Sequence, residues 1–278
     1  MGTFWKIIKI LLATLFTVYI GFIAYLLVFQ SKEKRFNMAG NMQGYGLSQT
    51  MFDILNWQHP DYAAPYFERS VPFNKRGDYA TGFYYLNTAV DLKPLHHLGY
   101  RGYMKLRFLR DYKAALADFD RLDAMTPEVV DAPWGEDIDF LRGECYYGLK
   151  NYPKALEHFE QSVTNQGVEW ADVQAFVYQG LCHYEMQHFD KAITSFETGL
   201  EQYETTCEAY FGLAKTYLAV GDTVGARNNL NKAQENFVYK HTDHYKEYLN
   251  EIYQEDLDAL MAILAEKITV GGKIKVNN

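Results

Sequence analysis

The chain has 278 residues, of which 48% are hydrophobic and 22% charged, the balance of a folded protein with a substantial core and not of a disordered or fibrous one. Its net charge of −8 is unevenly spread: the first 35 residues set five basic side chains against one acidic, a net +4, which leaves −12 on residues 36–278. That acidity opposes contact with nucleic-acid phosphate or anionic headgroups, and the three cysteines, with no CxxC spacing, suggest neither a disulfide framework nor a zinc site.

A short tail, residues 1–9, carries Lys6 and Lys9. Residues 10–29 then read ILLATLFTVYIGFIAYLLVF without a charge, long enough as a helix to cross a hydrocarbon layer of roughly 30 Å. Trp5 and Tyr25 suit the interfaces, and basic residues bracket the run. A secretory signal peptide begins in the same way, but this apolar run is longer, no small-x-small cleavage pattern follows, and no cysteine stands ready for lipoprotein processing. The expectation is an uncleaved transmembrane helix over 10–30. Basic residues are nearly balanced across it; retention of the positive tail in the cytoplasm would place the rest outside, in a periplasmic or other extracytoplasmic space, with a cytoplasmic placement as the alternative. Residues 31–58 read as a juxtamembrane linker, loosened by the glycines of FNMAGNMQGYG, with a short amphipathic helix over about 47–57.

The remainder repeats. Tyr210, Leu213, Ala214, Tyr217, Gly221, Asp222, Ala226, Leu230 and Ala233 set a spacing. The same spacing returns 34 residues earlier in Phe176, Gly180, Phe189, Ala192 and Phe196, and 37 before that in Gly143, Tyr146, Tyr152, Ala155 and Phe159. Small residues at fixed intervals let two antiparallel helices cross closely, and the aromatics fill the space around each crossing. Each pair leaves an apolar face that the next must cover.

This pattern resembles the tetratricopeptide repeat. The resemblance implies an all-α fold, an α-solenoid of about five helix pairs over 59–240, with units at 136–169, 173–206 and 207–240. A fourth, 96–129, puts Tyr103 where a small residue belongs. A fifth, 63–96, is degenerate, with Pro65 and Pro72 in its first helix. A capping helix over 241–266 and a flexible tail over 267–278 would follow. In that family the first helices line a groove, which here implies His97, Tyr100, Met104 and Arg107; Asp137, Phe140, Glu144 and Tyr147; Gln174, Val177, Leu181 and Tyr184; Glu208, Phe211, Lys215 and Leu218. An aromatic, apolar groove without paired Lys and Asn argues against a clamp for chain-terminal carboxylates and for an apolar or helical protein segment.

No phosphate-binding loop, GxSxG or HExxH is present. His241 and His244 share no evident third ligand, and Cys182 and His183 would diverge on a helix. The expectation is therefore a non-enzymatic scaffold or chaperone-like adaptor with protein partners, in a membrane or envelope complex, and with no cofactor, metal or small-molecule substrate. It resembles bacterial anchored repeat proteins that assist secretion or envelope assembly. A cytoplasm-facing docking receptor is one alternative, an enzyme or metal-dependent protein another.

Overall fold

The computed structural model describes residues 2–275, and among these all regular structure is helical. The chain divides into two compact units, residues 1–97 and 98–278.

In the first unit, α1 (Gly2–Phe29) contains the apolar stretch Phe4–Tyr25, long and apolar enough to cross a membrane and unburied by the rest of the protein. The expected glycine-loosened linker is instead a helical hairpin of α2 (Lys32–Gly40) and α3 (Gly46–Gln58). Its core of Ala39, Phe52 and Leu55, flanked by Phe36 and Met51, outweighs the low helix propensity of the glycines. Those glycines gather at the turn, where Gly44 takes a φ of +90°. The degenerate repeat follows as α4 (Ala63–Lys75) and α5 (Tyr79–Leu92). Pro65 lies in the first turn of α4, where a missing N–H costs nothing, and Pro72 lies within the helix.

The second unit takes in most of α6 (Pro94–Arg107) and then α7 (Tyr112–Asp123), α8 (Ile138–Gly148), α9 (Tyr152–Gln166), α10 (Val173–Glu185), α11 (Phe189–Gln202), α12 (Cys207–Ala219), α13 (Thr223–Glu235) and α14 (Gln254–Lys275). The rule that builds it is glycine against ring. A Cβ on Gly143 would stand 2.6 Å from the Phe159 ring, and one on Gly180 2.6 Å from Phe196, so only glycine lets these helices meet. The hairpin turns share one device: Arg110, Lys150, Gln187 and Gly221 all adopt left-handed φ just before the next helix starts. Asp111 and Asp222 then cap that helix through backbone N–H groups of Ala114, Val224 and Gly225.

Tyr103 does not occupy the small position of its repeat; Gly102 does, with its Cβ site 2.6 Å from Phe119. The turn of residues 108–111 is one residue longer than its counterparts at 149–151 and 186–188, so the first helix slips by one and Tyr103 turns onto the next face. The capping helix does not begin at 241. Residues 240–253 form no helix: Lys246 has a φ of 52°, and the Asp243 carboxylate accepts from the backbone N–H groups of Tyr245 and Glu247, diverting the chain into a turn. Capping falls to α14, whose Leu257, Leu260 and Leu264 close a buried cluster with Leu218, Leu230 and Ala233. That helix runs on to Lys275 through most of the expected flexible tail, whose residues 276–278 lie outside the described residues.

Candidate protein-binding groove

The first helices α6, α8, α10 and α12 present one continuous face, and across it runs the non-helical strap of residues 240–253. The strap is held through side chains. Its Glu247 accepts from the Tyr103 hydroxyl. Tyr248 lies under the Arg107 guanidinium at 4.7 Å, stacks on His241 at 3.6 Å, and offers its carbonyl to Arg110 at 3.4 Å. Leu249 packs on the cluster of Phe140, Phe159 and Tyr178. The Asn250 carboxamide donates to Gln174 Oε1 at 2.7 Å and accepts from the Tyr178 hydroxyl at 3.2 Å, and Glu208 accepts from the His241 backbone N–H at 2.6 Å.

The expected groove residues therefore divide. Arg107, Glu144, Tyr147, Gln174, Leu181, Glu208, Phe211 and Lys215 do converge, on the strap or on the cavities beside it. Tyr184 lies at the edge, with the Lys215 ammonium 4.7 Å from its ring. Phe140 and Leu218 are core residues, with 2% and 8% exposure, Met104 is buried as well, and Val177, also buried, forms part of the wall of the cavity beside Asn250. Asp137 caps α8 through the Asp139 and Phe140 N–H groups, and the Tyr100 ring packs, tilted, against Trp134 at 4.7 Å. His97 ends the first unit, stacked on Phe67. Tyr103, Arg110, Glu136 and Tyr178 also belong to this centre, outside the positions that the repeat register assigns to the groove. A one-residue slip hid Tyr103; Tyr178 sits one place after a position assigned to the groove and carried no separate signal.

Electrostatics at the centre turn on Arg107, whose side chain is fully enclosed and pairs with Glu136 at 2.5 Å and Glu144 at 2.7 Å. Burial raises the Glu144 and Glu208 carboxyls, and pushes Glu136 up to about 7 against the pull of Arg107. Burial lowers the His241 imidazole to about 4. The thiols of Cys145, Cys182 and Cys207 are all buried, the latter two pushed up to about 12, which makes them poor nucleophiles. Among the described residues no three His, Cys, Asp or Glu side chains are placed to hold a metal ion.

This arrangement defines a class: a solenoid of helical hairpins, here with one face crossed by the chain's own strap. Residues 174–206, the α10–α11 hairpin, match the model of the tetratricopeptide repeat, so the chain contains a repeat of that kind. No curated protein matches it. Solved structures share the fold. The crystal structure of PilW, described as a widely conserved type IV pilus biogenesis factor, superposes with a TM-score of 0.62 at 15% identity, covering 84% of this chain and 99% of that one. MamA from Desulfovibrio magneticus RS-1 gives 0.55 at 19%, covering 64% and 96%. YrrB, described as a tetratricopeptide protein with an unusual peptide-binding site, gives 0.51 at 18%, covering 70% and 95%.

Proposed function

We propose that this protein is a non-enzymatic interaction scaffold, tethered to a membrane by α1, whose α6–α12 face receives a segment of another protein. The carrying observation is that this face grips an extended stretch of polypeptide through ordered side-chain contacts, with the chain's own strap as the stretch. A tether supports the role by confining the face near membrane partners and raising their effective concentration. PilW is described as a pilus biogenesis factor, which makes assembly of an envelope complex, with the repeats extracytoplasmic, the first setting to test.

Affinity purification from membranes, with the proteins identified by mass spectrometry, tests the scaffold role. Tyr147→Ala and Tyr184→Ala should each lose at least one partner that the wild type retains. The same partners recovered undiminished with both folded variants would overturn the groove assignment. Placement is tested with Glu169→Cys, an exposed loop position. Labelling in intact cells by an impermeant maleimide supports an extracytoplasmic domain, and labelling only after lysis supports the cytoplasm-facing docking receptor.

A further inference from the structure

We propose that the strap is an exchangeable internal ligand, and that the groove beneath it takes an extended partner segment presenting, in order, an acidic, an aromatic, an aliphatic and a carboxamide side chain, as Glu247-Tyr248-Leu249-Asn250 do. The proposal rests on the scaffold reading above and adds to it what the groove recognises and how it opens.

Four observations carry it. The strap has no helix and almost no backbone hydrogen bonds of its own, and of residues 241–253 only Glu247 and Ile252 are buried. Segments with few buried groups open locally at much lower cost than the helices around them. The elements on either side need only its C-terminal end: α13 and α14 hold each other through Leu230, Ala233, Leu257, Leu260 and Leu264, with Ile252 joining that cluster, so the middle of the strap can lift while its ends stay fixed. The fit is incomplete, since cavities of about 190 Å³ and 310 Å³ flank the strap beside Asn250 and Leu249. Finally, the strap leaves donors unmatched: Arg107 Nε and Nη1 and Arg110 Nη1 are buried without a hydrogen-bond partner. An incoming carboxylate that reaches these donors gains bonds the strap does not make, and unmade bonds on buried donors are expensive. The aromatic side chain takes the place of Tyr248 under Arg107, and the carboxamide donates to Gln174 as Asn250 does.

Tethered at both ends, the strap competes at an effective concentration in the millimolar range, so a free ligand sees the groove only in the fraction of molecules with the strap lifted. The test uses the full chain in detergent micelles and a fluorescent synthetic peptide with the sequence of residues 241–253. In the protein, Asn250→Asp removes the donor to Gln174 and brings a carboxylate beside Glu144, with almost no change of shape. Peptide affinity should rise about tenfold or more over wild type, and adding Gln174→Ala should take the gain away. Hydrogen exchange on the unaltered protein gives a second reading, in which strap amides should exchange at least about a hundredfold faster than those of α10. A folded Asn250→Asp protein that binds the peptide no better than wild type, or strap amides as protected as those of α10, would overturn the exchange. Should that happen while partner capture by wild-type protein still depends on Tyr147 and Tyr184, the strap proposal fails and the scaffold reading stands.

Discussion

Phe196 is fully buried, and it is pinched from two sides. A Cβ on Gly180 would stand 2.6 Å from its ring and one on Gly212 would stand 2.3 Å from it, so the ring cannot retreat from one added methyl without meeting the other helix. Gly180→Ala should therefore destabilise the protein although alanine is the better helix former. Overpacking costs about 1–3 kcal/mol, and the helix-propensity gain returns only about 0.5–1 kcal/mol. The net loss of about 0–2.5 kcal/mol corresponds, at its centre of about 1.25 kcal/mol, to a melting point lower by roughly 2–5 °C for a domain of this size. Gly199→Ala supplies the opposite sign within the same hairpin. The nearest atom to its Cβ would be Phe176 Cβ at 3.5 Å, an ordinary contact, so this change should raise the melting point by a degree or more. Thermal melts of the full chain followed by helical circular dichroism read both effects, and Phe196→Leu added to Gly180→Ala should return part of the loss through coupling. A Gly180→Ala protein melting at or above wild type would refute the claim that glycine sets the helix separation.

Arg107→Met should cost about 3–5 kcal/mol in a urea titration, because it strands the buried Glu144 carboxylate without its cation; Glu144→Gln in the same molecule should recover part of that loss. Gln187→Gly should stabilise by about 0.5–1 kcal/mol, since the turn holds this non-glycine residue at a φ of 60°. His241 is held at about 4 in the folded protein against an ordinary 6.5, so folding favours its neutral form. Its contribution to stability is complete above about pH 6.5 and is lost as pH falls towards 4. The stability of His241→Gln, measured by melts from pH 7 to pH 4, should decline less across that window than that of wild type.

What was legible in the sequence was the rule that acts between near neighbours. A glycine facing a ring sixteen residues later is forced by the crossing of two helices joined by a three-residue turn, so Gly143 with Phe159 and Gly180 with Phe196 announced the hairpins in advance. The same counting failed at Gly102, because a turn longer by one residue leaves every local preference satisfied while rotating Tyr103 onto the inner face. Groove positions were legible only as far as the repeat is regular. Phe140 and Val177 stand at positions that face a ligand in the family pattern, but the neighbouring rings Phe159 and Tyr178, and the Phe196 cluster, draw them into the core.

The strap is ambiguous in the sequence for a deeper reason. Tyr245, Tyr248, Leu249 and Ile252 are spaced as the stripe of a helix, and such a stripe records only that a surface will be covered. It does not say whether the covering surface belongs to the next helix or to a groove more than 60 residues away along the chain, as with Asn250 on Gln174 and Tyr178. Two local signals decided the matter against helix: an aspartate that captures backbone N–H groups at 243, and a lysine that takes left-handed φ at 246. Once the helix is interrupted there, the aromatic residues meant for a helix face must find burial elsewhere, and the nearest unfilled surface is the face of α6, α8, α10 and α12. Self-occupation of the groove thus follows from a broken capping helix, with the true cap displaced to Gln254. Any partner that uses this face must outcompete a segment already there.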